Sequence, residues 1–218
     1  MSKNLGVIFD MDGVIVDSNP YHKIALNKFC ALHGKQLTEE YLIEKIYGRT
    51  NKEWITNVFG SMEPEQLRAY TEEKEALYRD LYKNDIKPVK GLIGFLELLN
   101  DHKIARSIGT SAPRSNVDFT LSKTHLDKYF EIILDDTFVN LGKPNPEIYI
   151  KSCQALGLPA RQCIVIEDSL SGIKAGKASG AKVIGITTTH TAQEMAETDL
   201  VIDDFESLTV EMLEKLVG

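Results

Sequence analysis

The sequence predicts an α/β protein, a doubly wound parallel sheet with a small α-helical domain inserted into it. Three observations carry that expectation. Short, unbroken apolar runs flanked by polar residues recur along the chain, the pattern of strands buried on both faces. From the second run onward, segments of helical periodicity separate the runs, as parallel strands joined by crossovers require. Between the first two runs, roughly 65 residues show helical patterns only, where a crossover ordinarily needs a single helix.

The first strand is read at residues 5–9, Leu5-Gly6-Val7-Ile8-Phe9. Further strands are read at 104–109, 132–134, 163–166 and 182–186, with 200–202 as a sixth. Helices are expected at about 92–101, 115–123, 146–156, 170–179, 192–196 and 207–217. Within the insert, Tyr21, Ile24, Ala25, Lys28, Phe29 and Leu32 share one helix face, and His33-Gly34 provides a stop. Thr38 before Glu39 starts a second helix. Asn51 is expected to cap a third that carries Trp54, Ile55 and Val58, with Trp54 serving packing. Glu63-Pro64-Glu65 opens a long fourth, the proline lying in its first turn. Glu72-Glu73-Lys74-Glu75 on that helix reads as a solvated face. Linkers near 16–18 and 85–90 place the core at 1–16 and 88–218 and the helical domain at 17–87. No internal repeat or low-complexity tract is visible.

Composition narrows the function. The 218 residues are 43% hydrophobic and 26% charged, and 25 basic against 32 acidic side chains give a net charge of −7. The isoelectric point is near 5.3. So aliphatic a chain folds rather than staying solvated, and its acidic balance disfavours nucleic acid as a partner. No stretch approaches the ~20 apolar residues of a membrane span. The first apolar run is also too short for a signal-peptide core. The expectation is a cytoplasmic protein without membrane partners, and a monomer. Cys30, Cys153 and Cys163 form no CxxC and read as buried, inert thiols. His102, His125 and His190 lack metal-like spacing and read as surface or turn residues.

In open parallel sheets, ligands bind beyond the carboxyl ends of the strands. After the first strand comes Asp10-Met11-Asp12-Gly13-Val14; after the second, Thr110-Ser111; after the fourth, Glu167-Asp168-Ser169. Gly142-Lys143-Pro144-Asn145-Pro146 precedes a helix between the third and fourth. One sheet edge thus gathers four carboxylates, an ammonium and two hydroxyls, a constellation suited to phosphate and Mg2+. Magnesium takes hard oxygen ligands, and Asp10 and Asp168 from separate strands would bind it, with Glu167 nearby. Asp10 could then attack phosphorus. Lys143 and Thr110 would hold phosphate oxygens, with Ser111 as a neighbouring substrate hydroxyl. Asp12 would protonate the leaving oxygen and later take a proton from water.

These segments, Phe9-Asp10-Met11-Asp12-Gly13-Val14, Thr110-Ser111, Gly142-Lys143-Pro144 and Ile166-Glu167-Asp168-Ser169, resemble the four motifs of the haloacid dehalogenase-like superfamily. Ser171-Gly172-Ile173-Lys174-Ala175-Gly176 and Ala178-Ser179-Gly180-Ala181 extend the likeness, which is nearest to the β-phosphoglucomutase-like phosphatases. The resemblance implies a Mg2+-dependent aspartyl-phosphate enzyme with a Rossmann-like core and a mobile helical cap. It makes Asp10 the nucleophile. Asp12 becomes the general acid/base and also offers its backbone carbonyl to the metal. Thr110 and Lys143 orient the phosphoryl group, and Asp168 and Glu167 complete the metal site. It also implies a cis peptide at Lys143–Pro144. Haloalkanoate dehalogenases of the superfamily lack the second acid, so Asp12 favours phosphate chemistry.

For the cap, the resemblance places a hinge at Asp17-Ser18-Asn19-Pro20-Tyr21-His22 and a specificity loop at Gly48-Arg49-Thr50-Asn51-Lys52. Substrate contacts are therefore expected from His22, Arg49, Thr50, Asn51 and Lys52. In the mutases an arginine of this loop clamps a distal phosphate; here Asn51 stands at that place, flanked by Arg49 and Lys52. The expected function is a phosphatase for a small phosphorylated metabolite, a sugar phosphate by class. A β-phosphoglucomutase interconverting β-glucose 1-phosphate and glucose 6-phosphate is the alternative. A non-catalytic regulatory protein on the same fold is the third reading, against which the intact acid and lysine set argues.

Overall fold

The computed structural model describes residues 4–46 and 50–218. The chain divides into two compact units, Met1–Asp17 with Ile86–Gly218, and Ser18–Asp85. The larger unit is a six-stranded, all-parallel sheet in the order β3-β2-β1-β4-β5-β6. Its strands are β1 (Gly6–Phe9), β2 (Ala105–Gly109), β3 (Ile132–Leu134), β4 (Cys163–Glu167), β5 (Lys182–Ile186) and β6 (Leu200–Ile202). Strands β1 and β4 are buried throughout, which is why their residues are almost uniformly apolar. The helices of this unit are α5 (Leu92–Asp101), α6 (Arg114–Thr124), α7 (Glu147–Ala155), α8 (Leu170–Ala178) and α9 (Val210–Leu216). On one side of the sheet Ile8, Val165 and Val183 pack with Ile148, Tyr149 and Cys153 of α7 and Ile173 and Ala175 of α8.

The smaller unit is helical: α1 (Asn19–Leu32), α2 (Glu39–Lys45), α3 (Asn51–Phe59) and α4 (Pro64–Tyr82). Leu26, Phe29, Cys30, Leu42, Ile46, Trp54, Ile55 and Val58 form its core, with the Phe29 and Trp54 rings edge-on at 5.9 Å. The architecture is therefore the parallel α/β sheet with a helical insert that the sequence predicts. All three cysteines are buried and free. Among the described residues no helix is long and apolar enough to cross a membrane.

Four local expectations are corrected. Residues 192–196 form a turn, not a helix. Thr191 and Glu194 begin one by exchanging cap hydrogen bonds, but Asp199 N–H is already taken by Val183 O as the chain enters β6. One turn does not repay helix nucleation. The last helix starts at Val210 rather than 207, because Thr209 caps it by accepting from Met212 N–H. Thr50, not Asn51, caps α3, through a capping box with Glu53.

The fourth correction concerns Glu72-Glu73-Lys74-Glu75. Glu72 and Glu73 are exposed, but Lys74 and Glu75 are only 7% and 3% exposed. They lie with Tyr78 and Tyr82 on the inward stripe of α4. Burial of these charges is tolerated because they are paired. Lys74 Nζ donates to Glu75 Oε1 at 3.0 Å, and Asn51 Nδ2 donates to the same oxygen at 3.0 Å.

Candidate active site

Strand register assembles the site. Phe9 is level with Ile166 on one side and with Ile108 on the other, so the residues that follow these strands emerge together at the carboxyl edge. Asp10 continues β1 with its N–H on Ile166 O at 3.0 Å. Glu167 ends β4, Asp168 follows it, and Thr110 follows β2 with its N–H on Leu134 O. Asp10, Thr110, Glu167 and Asp168 are all buried. Beyond Asp10 the chain turns sharply, with Ile15 N–H on Met11 O at 2.8 Å and Gly13 N–H on Val16 O at 2.7 Å. Gly13 takes φ = +76°, a conformation side chains disfavour, which explains the glycine after Asp12. The Thr188 hydroxyl braces this turn from beyond β5 by donating to Gly13 O at 2.5 Å.

Lys143 reaches the same place from the loop before α7, through a cis Lys143–Pro144 peptide, the isomer the resemblance implies. Its ammonium donates to Asp10 Oδ1 at 2.8 Å and to Glu167 Oε1 at 2.6 Å. Glu167 also accepts from the Tyr149 hydroxyl at 2.5 Å on Oε1. Its Oε2 takes Asp168 N–H, Ser169 N–H and the Ser169 hydroxyl at 3.0–3.1 Å. Thr189 donates to Asp168 Oδ2. Ser169 doubles as the cap of α8 by accepting from Gly172 N–H.

The electrostatics follow from burial. Burial pushes Asp10 up to about 7; Lys143 opposes this, while Glu167 and Asp12 add to it. Asp168 is also held well above the ordinary carboxylate range, by burial first and then by the charges of Glu167 and Asp10. Burial would raise Glu167 too, but Lys143 and its other donors outweigh that and hold it low. Burial would lower Lys143, but Asp10 and Glu167 overcome it, so the ammonium stays charged.

Carboxylate oxygens of Asp10, Glu167 and Asp168 lie within 4.8 Å of one another. Three converging carboxylates against one ammonium leave an excess of negative charge. All-oxygen donors of this kind suit a hard divalent cation. The residues present therefore fit Mg2+.

The other expected site residues fall as follows. Asp12 is half-buried in the turn after β1. Ser111 is exposed beside Thr110, whose hydroxyl accepts from Ala112 N–H at 3.1 Å. His22, Thr50, Asn51 and Lys52 belong to the helical unit, and Arg49 lies outside the described residues. There His22 Nδ1 is 2.9 Å from Lys74 Nζ and its ring stacks on Tyr78 at 3.7 Å. Thr50 is engaged in its capping box, and Lys52 is exposed. Asn51 is held between Glu75 and the Trp54 indole N–H, which donates to Asn51 Oδ1 at 2.8 Å.

Sequence reasoning missed Tyr149, Lys74, Thr188 and Thr189. The threonines carry a usable signal, since Thr187-Thr188-Thr189 directly follows β5 and so lies at the ligand edge. Tyr149 carries none, because an aromatic on the buried face of α7 looks like packing.

A Rossmann-like sheet whose carboxyl edge presents a buried aspartate, a lysine bound to it and two further acids defines an aspartate-based hydrolase. The sequence matches the haloacid dehalogenase-like hydrolase family over residues 7–186. The chain belongs to that family. It is 32% identical over 184 residues to a phosphorylated carbohydrates phosphatase of Thermotoga maritima, covering 82% of each chain. It is 26% identical over 214 residues, 97% of its length, to the chloroplastic 5-amino-6-(5-phospho-D-ribitylamino)uracil phosphatase of Arabidopsis thaliana. It spans 57% of that longer protein. Among solved structures, a HAD hydrolase of family IA, variant 3, from Entamoeba histolytica HM-1:IMSS superposes with a TM-score of 0.90. Identity to it is 34%, over 98% of this chain and 99% of that one.

Proposed function

We propose that the protein is a Mg2+-dependent phosphatase of the β-phosphoglucomutase-like branch, hydrolysing a small sugar phosphate through an aspartyl-phosphate. The contact of Lys143 Nζ with Asp10 Oδ1 at 2.8 Å carries this reading. It sets a cation beside a buried carboxylate, where a nucleophile attacking an anionic phosphorus needs one. The name of the Thermotoga maritima relative supports the sugar-phosphate class.

Asp10 attacks phosphorus, forming the acyl-phosphate bond as the ester P–O bond breaks. Lys143 and Thr110 hold the transferring oxygens, where donors count most as charge shifts. Asp12 gives its proton to the departing alkoxide. It then takes one from water as that water attacks phosphorus, which releases phosphate and restores Asp10. Asp10, Asp168 and the Asp12 carbonyl would hold Mg2+, with Glu167 beside them, and the bound ion would supply charge neutralisation between carboxylate and phosphate. In this reading residues 1–16 and 88–218 are the catalytic core and residues 17–87 the helical cap domain. Within it His22, Arg49, Thr50, Asn51 and Lys52 select the leaving group, and Ser111 assists from the core.

The test is phosphate release with Mg2+ across phosphorylated metabolites, with β-glucose 1-phosphate included and Asp10→Asn alongside. One substrate is expected to exceed the rest by about 100-fold in kcat/KM, about 2.7 kcal/mol of differential transition-state binding. Asp10→Asn is expected to fold and lose turnover. Near-normal activity in that variant overturns the covalent mechanism. Conversion of β-glucose 1-phosphate to glucose 6-phosphate without phosphate release, given a trace of glucose 1,6-bisphosphate, makes the protein a mutase instead.

A further inference from the structure

We propose that Tyr149 is a positioning residue that fixes the Lys143 ammonium by way of Glu167. The inference rests on the reading that Lys143 holds a phosphoryl oxygen. A carboxylate offers about four lone-pair sites, and Glu167 already faces five donors. Three of them, from Asp168 and Ser169, pin Oε2. Oε1 is shared by the Tyr149 hydroxyl and Lys143 Nζ. Fully buried and saturated within the protein, Glu167 acts as an anchor for the lysine more than as a ligand for a cation.

Tyr149 completes the anchor in two ways. Its hydroxyl fixes the direction from which Oε1 meets the ammonium. Its ring also lies under the same ammonium, with Nζ 4.9 Å from the centroid, inside the range of cation–π attraction. An ammonium has three N–H donors. Asp10 and Glu167 take two of them, and the third remains for a phosphoryl oxygen. Where that third donor points is set by the other two, and one of those two is set by Tyr149. Small misplacements of such a group are costly, since about 1 Å can lower turnover a hundredfold.

The experiment compares wild type with Tyr149→Phe, which keeps the ring and removes the hydroxyl. Three quantities are read on folded protein of measured melting temperature. They are p-nitrophenyl phosphate turnover, calorimetric binding of inorganic phosphate in saturating Mg2+, and binding of Mg2+ alone. The expected result is kcat down about 10-fold, phosphate affinity at least 5-fold weaker and Mg2+ affinity within 2-fold. On a Lys143→Ala background the same substitution should change residual turnover by less than about 2-fold, because its effect passes through the lysine.

A lower melting temperature with kcat and phosphate affinity unchanged overturns the proposal, leaving Tyr149 a packing residue. So does a loss of Mg2+ affinity equal to the loss of phosphate affinity, which would place its action on the cation cluster. If Tyr149→Phe does not fold, Tyr149→His, which retains a ring N–H donor, is read by the same two affinities. Weakened phosphate binding with Mg2+ binding held supports the proposal, and unchanged phosphate binding overturns it. Should wild type turn over no phosphate ester at all, the phosphatase reading falls, while the two affinities still decide the role of Tyr149.

Discussion

Gly172 gives the sharpest test of how the site is packed, because two ordinary arguments predict opposite signs for its replacement. It sits in the first turn of α8. By helix propensity alone, Gly172→Ala should stabilise the protein by about 1 kcal/mol. Yet a methyl built on Gly172 falls on Oε1, Cδ and Oε2 of Glu167, far inside the 3.0 Å that real contacts respect. The carboxylate would have to retreat by more than an ångström. Being 0% exposed it cannot retreat into solvent, and retreat breaks the 2.5 Å bond from Tyr149 and the 2.6 Å bond from Lys143. Charge-assisted hydrogen bonds contribute about 1.5–3 kcal/mol each. Losing both outweighs the propensity gain and leaves Gly172→Ala about 2–5 kcal/mol less stable than wild type. Urea unfolding monitored by circular dichroism measures the difference. Stability equal to or above wild type would refute the packing argument and show that α8 slides to admit the methyl.

Two further outcomes follow from charge. In metal-free protein Asp10 titrates near 7, raised chiefly by burial, whereas the unfolded chain ionises it near 3.9. Between those values the folded state holds a proton that the unfolded state has lost. Stability therefore falls as pH rises from about 4 to about 7, with a ceiling of about 4 kcal/mol from this group. Urea midpoints in EDTA should decline over that window in wild type, less steeply in Asp10→Asn, and Mg2+ should restore more at pH 7.5 than at pH 5; a difference between the two proteins that stays flat with pH would contradict this. In the helical unit, Glu75→Ala removes the buried acceptor shared by Lys74 and Asn51, which should cost about 3 kcal/mol. Hydrogen exchange should show the loss of protection concentrated in residues 18–85, and unchanged protection there would mean the buried charges contribute nothing.

What the sequence made legible was periodicity and position. Strands that are uniformly apolar, such as Val7-Ile8-Phe9 and Ile164-Val165-Ile166, announce a buried parallel sheet. The rule that chemistry follows strands then singles out Asp10, Thr110, Glu167 and Asp168 without any geometry. Lys143 was legible as a holder of phosphate oxygens from the glycine–proline loop before a helix, and the structure adds its two carboxylate partners. The misreadings share a cause. Lys74 and Glu75 looked solvated because charge is ordinarily a surface property; here it is buried because partners from α1 and α3 close around it. Tyr149 is not singled out, since an aromatic on a buried helix face reads as packing; its ring does pack in the core but also faces the Lys143 ammonium, and its hydroxyl reaches Glu167. Thr50 reads as a substrate contact and the cap falls to Asn51, an equally good cap by type; the deciding residue, Glu53, completes a box only with Thr50.

The same cases show why the polar site is harder to read than the sheet. A strand residue is fixed by its own burial, which its side chain states directly. A site residue is fixed by what its neighbours leave unsatisfied. Burial first, and the neighbouring acids after it, raise Asp10 and Asp168, and Lys143 offsets only part of that. Glu167 stays ionised because five donors surround it, and they come from the loop before α7, from α7 itself and from the start of α8. The core thus settles one carboxylate with five donors and holds the other two, chiefly by burial, above the ordinary carboxylate range. The unsettled pair, Asp10 and Asp168, is where a cation and a phosphoryl group would have most to offer, and it is the pair that the strand-edge rule identifies.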